Sequence, residues 1–433
     1  MSIEKPTAAA NKKIDPNRIA ALARSATHGL SRPKTLALWR NFIARFPKEV
    51  SYARQYVLEL LLTEGWPELD AFEATARRYK STELDLNYID AALARLELDS
   101  ARRRLSQYVR RHGTSLPYLL REYGFNCLAG DFANAEVIAR QLKSLRSVDD
   151  LPARQLGRRA KFYGQLRERW RPADNPPLDY DIFVINLDSD TLRMERMRKQ
   201  LGDVPYTRIP GVKGAYLPAY VLRAVSQNQG HLLKGTMGCF LSHIALWEKI
   251  AAGTRNALVL EDDASVIAGL PPSLAALRLP DDFDVTFVNE RMHPANFRFP
   301  AASFRTAETN EVAKTKPANW SSAGTDGYFI SPKGARTLLA LIERDGIAGD
   351  VDWRLVSYSL TRPERTAIIK RGGFAGQSLA YHERFRSSSK RLRCYVLLPA
   401  LVRQFAGGSV RLWDNELPHA HMTAVQTILA KRR

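Results

Sequence analysis

The sequence predicts an all-α domain followed by an α/β domain with a Rossmann-type sheet. Residues 17–170 place apolar side chains at intervals of three and four with few prolines, which is typical of packed helices. Residues 171–180 contain three prolines, which block helix continuation and mark a linker. From residue 181, short apolar segments alternate with helical periodicity, which indicates a sheet covered by helices. We therefore expect domains over 1–170 and 181–375, with a basic C-terminal segment over 376–433.

The first domain carries a loose internal repeat. Three helical segments starting at Glu68, Leu98 and Ala133 can be aligned on alanines that are 30 and 34 residues apart. This spacing is close to the period of tetratricopeptide-type helical hairpins, and the LAGDF turn at 128–132 resembles the turn inside such a hairpin. The sequence therefore predicts a tetratricopeptide-like repeat domain, with an irregular helical bundle as the alternative.

The composition is that of a strongly basic globular protein. Of 433 residues, 45% are hydrophobic and 25% charged, which excludes wholesale disorder and predicts two or three domains. The three cysteines are far apart, so we expect neither a disulfide framework nor a structural zinc site. We find no signal peptide and no apolar run long enough to span a bilayer, so we expect a cytoplasmic protein. The net charge of +20 would attract a polyanion, either nucleic acid or an anionic membrane face.

The elements of the second domain follow from the periodicity of the sequence. Short apolar segments predict buried strands, and apolar positions at helical spacing predict amphipathic helices. Ser331 and Pro332 are a helix N-cap and a first helical residue, so one helix begins there. The predicted strands are 182–186, 257–260, 285–289 and 328–330, and the predicted helices are 192–201, 236–253 and 333–344.

Polar residues follow two of these strands at their carboxyl ends, where open α/β sheets bind ligands. Asn186, Leu187 and Asp188 follow the first strand, and the triplet Glu261-Asp262-Asp263 follows the segment ALVL. Like charges at the edge of a dry core repel one another, and a divalent cation would relieve that repulsion. A solvated turn or a helix cap is the alternative interpretation of such a triplet.

Three segments, in order, resemble glycosyltransferase family 25, the lipopolysaccharide-type and collagen-type sugar transferases. They are IFVINLDSDTLRMERMRKQL (182–201), GTMGCFLSHIALWEKIAAGTRNALVLEDDA (235–264) and GTDGYFISPKGARTLLALIERDGIAGDVD (324–352). The resemblance covers less than half of the chain. It implies a GT-A-like fold that binds a nucleotide diphosphate-sugar.

The resemblance implies a divalent metal, Mn²⁺ or Mg²⁺, at the acidic triplet. The triplet stands where GT-A enzymes keep an Asp-x-Asp motif, but here the pattern is Glu-x-Asp. We therefore assign the metal first to Asp263, and Glu261 contacts either the metal or the ribose. Asp262 either takes part in nucleotide-sugar binding or supports the loop.

The resemblance also implies an inverting transfer, for which one carboxylate base suffices. Asp352, at the closing Asp of the third segment, is the predicted catalytic base, with Asp326 and Glu290 as alternatives.

Further nucleotide-sugar-binding residues are predicted on the matched motifs. For Arg193 and Arg196 the alternative is a solvated helix face, and for His243 it is helix packing. Trp247 lies on the apolar face of the predicted helix 236–253, so we expect it to be buried in the core. The predicted binding residues are Asn186, Leu187, Arg193, Ser242, His243 and Asp262.

The segment 384–393 is basic with interleaved apolar residues. A solvated face is the ordinary interpretation. The sharper hypothesis is peripheral docking on the anionic inner face of the cytoplasmic membrane, near a lipid-linked acceptor. Nucleic-acid binding is a third interpretation, but no zinc finger, RNP-type motif or Gly-x-x-Gly loop supports it, so we expect no nucleic-acid partner.

The predicted function is transfer of a hexose such as galactose from a UDP-sugar to a cell-envelope glycan or lipid-linked saccharide, as in lipopolysaccharide biosynthesis. The first alternative is an adaptor whose helical repeats bind a protein partner and whose transferase domain is degenerate. The second is a metal-dependent nucleotidyl- or phosphoryl-transferase, although no Gly-x-x-x-x-Gly-Lys loop is present. The loops 202–234 and 290–323, which would select sugar and acceptor, show no readable pattern.

Overall fold

The computed structural model describes most of both predicted domains. The N-terminal 31 residues, most of the predicted linker and the last 29 residues lie outside the description. The described residues are 32–144, 153–169, 178–218, 220, 234–267, 270–293, 303–314, 323–387 and 389–404.

The described part of the first domain is all helical, which confirms the predicted class. Sequential helices pack against one another, including α4 with α5, α6 with α7 and α7 with α8. The LAGDF turn joins α6 to α7, where Gly130 has a φ of +73° and the Asp131 carboxylate accepts the Asn134 N–H at 3.1 Å. The tetratricopeptide-like repeat stays a prediction. The helices are α1 Arg32–Arg45, α2 Val50–Leu62, α3 Trp66–Ala76, α4 Thr82–Ala94, α5 Leu98–His112, α6 Leu116–Ala129, α7 Phe132–Ser144 and α8 Ala153–Arg169.

The second domain contains a mixed seven-stranded sheet, which confirms the α/β prediction. The strand order is β2-β1-β3-β7-β5-β8-β6. Strand β1 is parallel to β2 and β3, β7 is antiparallel to β3 and β5, and β8 is parallel to β5 and antiparallel to β6. Strands β4 and β9 form a separate antiparallel pair. The strands are β1 Tyr180–Asn186, β2 Thr207–Pro210, β3 Asn256–Glu261, β4 Ala264–Val266, β5 Val285–Phe287, β6 Arg305–Glu308, β7 Gly327–Ile330, β8 Cys394–Leu398 and β9 Val402–Gln404.

Helices cover the sheet, and successive side chains of a strand point to opposite faces. In β3, Leu258 and Leu260 join an apolar cluster shared with the helical domain, whereas Val259 joins a second cluster with Trp247 and Leu338. Ser331 caps its helix as predicted, because its hydroxyl accepts the Gly334 N–H at 3.0 Å. The helices of this domain are α9 Thr191–Leu201, α10 Lys234–Ala252, α11 Leu270–Ala276, α12 Thr309–Lys314, α13 Pro332–Asp345, α14 Val351–Ser359, α15 Arg362–Arg371 and α16 Gly373–Glu383.

The sheet extends beyond the domain boundary predicted at residue 375. Strand β8 lies between β5 and β6, so the segment 376–404 belongs largely to the transferase domain. The short apolar run that forms β8 directly follows the basic residues 384–393, whose charge dominates the local composition. The predicted C-terminal segment therefore supplies an interior strand of the sheet.

The two domains share packed and polar contacts. Phe162 of α8 packs edge-on against Phe304, with ring centroids 5.2 Å apart. The Tyr163 hydroxyl donates to the Ala400 carbonyl. One apolar cluster runs from α4 through α8 into one face of the sheet. Within the described residues, no helix combines the length and apolarity needed to cross a bilayer.

Candidate active site

A pocket opens at the carboxyl ends of β1 and β3. These strands are parallel neighbours with Ile185 opposite Glu261, so the loops that follow them leave the same edge of the sheet. All predicted nucleotide-sugar-binding and metal residues line this pocket, whereas Asp352 does not. The lining comprises Ile185, Asn186, Leu187, Asp190, Arg193, Gly211, Val212, Gly214, Gly235, Cys239, Ser242, His243, Glu261, Asp262 and Asp263.

Asp262, the middle residue of the triplet, is held by bonds from its neighbours. Its carboxylate accepts hydrogen bonds from Asn186 Nδ2 at 2.8 Å and from Arg193 Nη1 at 3.0 Å. Its carbonyl accepts from Arg196 Nη2 at 2.6 Å, and its N–H donates to the Ile185 carbonyl at 3.1 Å. Burial raises the pKa of the Asp262 carboxyl to about 6, against the opposing effect of Arg193. These bonds favour the loop-supporting role for Asp262.

The two arginines of α9 lie in the interior of the protein. Arg193 and Arg196 are each 7% exposed, so the alternative of a solvated helix face is wrong. Arg193 lies between two carboxylates, because its Nη2 also contacts Glu64 of the helical domain at 2.8 Å. Burial alone would lower the pKa of the Arg193 guanidinium, but Asp262, Glu64 and Asp263 together raise it above its usual value.

Asn186 fixes the loop after β1. Its Nδ2 also donates to the Asp190 carbonyl at 3.0 Å, and its Oδ1 accepts from Arg208 Nε at 2.8 Å. Arg208 further contacts the Asp188 carboxylate at 2.5 Å. Leu187 follows in the same loop and lies against Gly211, where an added Cβ would come within 3.1 Å of the leucine side chain.

Ser242 supports the opposite wall of the pocket. Its hydroxyl donates to the Gly238 carbonyl within α10 and accepts the Val212 N–H, both at 2.7 Å. The serine therefore ties the loop after β2 to α10.

A chain of hydrogen bonds orients Glu261. The Trp247 indole N–H donates to the Tyr328 hydroxyl at 2.9 Å, and that hydroxyl lies 2.8 Å from His243 Nδ1. Because an indole nitrogen only donates, the tyrosine oxygen accepts from Trp247, and its own proton can point to Nδ1. Burial raises the pKa of Tyr328 well above its usual value, so it keeps this proton. In the tautomer that accepts this proton at Nδ1, the imidazole hydrogen is on Nε2 and donates to Glu261 Oε1 at 3.3 Å.

Two donor sets for a metal ion meet at Glu261. Cys239, His243 and Glu261 place one ligand atom each within 4.8 Å of one another. However, in the tautomer that accepts a hydrogen bond from Tyr328, the His243 nitrogen that faces Glu261 carries a proton and cannot bind a metal. Glu261 and Asp263 offer carboxylate oxygens at the pocket edge, the donors that Mn²⁺ and Mg²⁺ prefer. This second set fits the metal implied by the sequence.

Asp326 adds a buried carboxyl beside the triplet. It is fully buried and accepts from Arg291 Nη2 at 2.6 Å and Nε at 3.2 Å. Burial raises its pKa to about 7. Arg291 lowers that pKa, and the charges of Asp263 and Glu261 raise it further. This carboxyl therefore titrates near neutral pH.

The predicted base Asp352 lies in the first turn of α14, behind Thr325. Its Oδ1 accepts the Thr325 N–H at 3.0 Å and lies beside the Thr325 hydroxyl. The same hydroxyl lies 2.6 Å from Glu261 Oε1, so Thr325 connects the predicted base to the predicted metal site.

The alternative base Glu290 faces the helical domain. Its carboxylate forms an ion pair with Arg159 of α8. Burial would raise the pKa of Glu290, but Arg159, Arg403 and His293 outweigh that effect and lower it. This pairing argues against Glu290 as a base.

Several residues of the site were missed by sequence reasoning. Thr325 and Tyr328 lie inside the third family-like segment, so their position was a usable signal. Arg208, Arg291 and Glu64 lie outside all three segments and carry no local pattern, because their roles depend on contacts between distant elements.

The mixed sheet, with an acidic pocket at the carboxyl ends of its parallel strands, defines an α/β transferase domain. Residues 179–352 match glycosyltransferase family 25, described as an LPS biosynthesis protein. The predicted resemblance is confirmed, and this part of the chain is a glycosyltransferase family 25 domain.

Curated relatives include both galactosyltransferases and inactive proteins. The chain is 26% identical over 189 residues to procollagen galactosyltransferase 1 of Danio rerio, covering 39% of this chain and 30% of the relative. It is 29% identical over 173 residues to procollagen galactosyltransferase 2 of Homo sapiens, covering 37% and 27%. It is 32% identical over 96 residues to inactive glycosyltransferase 25 family member 3 of Mus musculus, covering 19% and 16%. The chain thus spans less than a third of the length of these relatives.

Proposed function

We propose that the protein is an active, metal-dependent glycosyltransferase. The observation that carries this proposal is the division of labour in the acidic triplet. All three carboxylates line the pocket, and Asp262 is tied to Asn186 and Arg193 while Glu261 is oriented by His243 and Thr325. Asp262 thereby holds in place the loop that carries the other two carboxylates.

Glu261 and Asp263 would hold the Mn²⁺ or Mg²⁺ ion. When bound, that ion neutralises the diphosphate of the leaving nucleotide. The chain itself supplies orientation, because His243 and Thr325 both donate toward Glu261 Oε1. Held in this way, Glu261 keeps one rotamer and loses little entropy when it binds a ligand.

The proposed transfer inverts the sugar and needs one base for the acceptor hydroxyl. Asp352 remains a candidate, although its Oδ1 accepts the Thr325 N–H and lies beside the Thr325 hydroxyl. Asp326 is the alternative because burial raises its pKa to about 7, near the value that suits a general base at neutral pH, although its carboxyl is fully buried and does not line the pocket. Arg291 would hold the Asp326 carboxylate in place while that carboxylate is deprotonated.

The proposed donor is a UDP-hexose and the proposed acceptor a saccharide. Galactose is favoured because two relatives are named galactosyltransferases. A lipid-linked acceptor of the cell envelope would place the protein on the cytoplasmic membrane face. Arg384 is exposed, and its side chain would face anionic lipid. Arg386 and Arg393 instead bond within the protein, to the Lys390 carbonyl and to Asp282.

A panel of nucleotide sugars tests the proposed function. The full chain is incubated with UDP-galactose, UDP-glucose and other donors, with Mn²⁺ or Mg²⁺ or with a chelator, and nucleotide release is measured. We expect one donor to be hydrolysed or transferred only with metal. Equal release in the chelator contradicts metal dependence, and release of inorganic phosphate in place of a sugar indicates the phosphoryl-transferase alternative.

The adaptor alternative is favoured by one observation, that some relatives are named inactive. It predicts nucleotide binding or partner binding without turnover of any donor in the panel. Turnover by the wild-type chain would exclude it.

A further inference from the structure

Glu64 reaches from the helical domain to the back of the acidic triplet. It lies in the turn between α2 and α3, and its carboxylate contacts Arg193 Nη2 at 2.8 Å. The side chains of Glu64 and Arg193 are only 11% and 8% exposed. When one partner of a buried ion pair is removed, the charge of the other partner is left uncompensated.

Arg193 connects Glu64 to the loop that carries the proposed metal ligands. Its other nitrogen, Nη1, bonds the carboxylate of Asp262, which precedes the proposed metal ligand Asp263. The charges of Glu64 and Asp263 also both raise the pKa of Arg196, against the dominant effect of burial. Glu64 therefore lies within electrostatic range of the triplet and offsets part of the charge of the two arginines.

A second contact reaches the opposite flank of the site from the same domain. Arg159 of α8 pairs with Glu290, and the adjacent Arg291 holds the carboxylate of Asp326. The helical domain thus touches both sides of the site through charged residues.

We infer that Glu64 is a positioning residue of the transferase site and that the helical domain is part of the catalytic unit. The inference rests on the proposed function. Without the Glu64 charge, Arg193 and Arg196 interact with Asp262 and Asp263 alone. The surroundings of the loop then carry one negative charge fewer and attract a divalent cation less strongly.

Two substitutions of Glu64 in the full chain test the inference. Glu64→Gln removes the charge and keeps the size. Glu64→Gly also removes it, and glycine suits the backbone because φ is +52° here. Mn²⁺ binding is measured by electron paramagnetic resonance and UDP binding by calorimetry, with kcat and KM for the donor alongside. Glu68→Gln, an exposed carboxylate in the same domain, is the matched control.

We expect both Glu64 variants to weaken Mn²⁺ binding about tenfold, the usual effect of losing a residue that orients a metal ligand. The Glu68 control should bind as the wild type does. Arg193→Lys provides a coupling test, because Glu64→Gln should weaken Mn²⁺ binding less in that background than in the wild type. Thermal unfolding of each variant separates a folding defect from a weakened site.

The outcomes separate this inference from the proposed function. Wild-type Mn²⁺ affinity and kinetics in a folded Glu64 variant overturn the inference while the transferase stands. Equal effects of Glu64→Gln in the wild type and in Arg193→Lys overturn the route through Arg193. A wild-type chain that binds Mn²⁺ and UDP but turns over no donor refutes the proposed function, and its Glu64 variants still decide the inference by binding.

Discussion

The two acidic flanks of the site differ in how their charge is balanced. At the triplet, Asp262 is bonded to Arg193 and Asn186, and Glu261 and Asp263 line the pocket. At the other flank, Asp326 is fully buried with Arg291, and its pKa is raised to about 7. The first arrangement leaves net negative charge at an opening, which suits a cation. The second keeps a proton near neutral pH, which suits acid–base chemistry.

The largest effect is expected from Asp263→Asn, on the flank that is proposed to bind the metal ion. Loss of a carboxylate ligand should reduce metal-dependent turnover at least about 100-fold, because a bound metal supplies several kcal/mol of stabilisation. Steady-state turnover at several Mn²⁺ concentrations measures it. Asp203→Asn, an exposed carboxylate after α9, is the control. Full activity in Asp263→Asn would remove the basis for the metal assignment.

The flank that contains Asp326 is tested by the variant Asp326→Asn and by the pH dependence of the rate. If Asp326 is the base, kcat should fall about 100-fold and the wild-type rate should rise through pH 7. Asp352→Asn is the comparison. A larger loss in Asp352→Asn with a small one in Asp326→Asn restores Asp352 as the base.

The same carboxyl makes a prediction about stability. The pKa of Asp326 is about 7 in the folded protein and 3.8 when unperturbed, so between these values the folded state binds more protons than the unfolded state. Its contribution to stability is therefore present at low pH and is lost as pH rises toward 7. Asp326→Asn should flatten this part of the pH dependence, measured by denaturant unfolding between pH 4 and 8. An unchanged slope would contradict the raised pKa.

A smaller effect is expected from Tyr328→Phe, which interrupts the hydrogen-bond chain to Glu261. The substitution leaves the Trp247 indole N–H and His243 Nδ1 without the hydroxyl that they contact, at a cost of about 1–3 kcal/mol in unfolding free energy. The freed His243 would take either tautomer, so Glu261 should be less well oriented and kcat should fall. Denaturant unfolding and kinetics check both, and unchanged values would show that the chain is not needed.

The smallest effect is expected from Ser242→Ala at the pocket wall. The Val212 N–H loses its acceptor, which should cost about 1 kcal/mol and raise the KM for the donor a few-fold with kcat unchanged. A fall in kcat with KM unchanged would instead give Ser242 a direct role in the reaction.

Sequence reasoning located the pocket because the relevant signals are local. An apolar strand that ends in three carboxylates can be seen in the sequence, as can the Asn186 turn, and parallel pairing brings both to one edge. What each carboxylate does could not be seen. Asp262 and Asp263 are adjacent and chemically identical, and their surroundings differ because Arg193 of α9, which also contacts Glu64 of the other domain, bonds Asp262.

The C-terminal boundary was missed for a related reason. Five residues of β8 follow a basic segment, and local composition alone does not show that they pair with β5 and β6. Long-range strand pairing depends on the whole fold, whereas helix and turn signals depend on a few neighbours.

The position of β8 bears on how the protein is made. In the described sheet, β6 is joined to the other strands only through β8, which comes almost ninety residues later in the chain. During synthesis, β5 and β6 therefore leave the ribosome before β8, the strand that pairs with both, has been made. The edges of β5 and β6 are unprotected during that interval, when contacts with other nascent chains are most damaging.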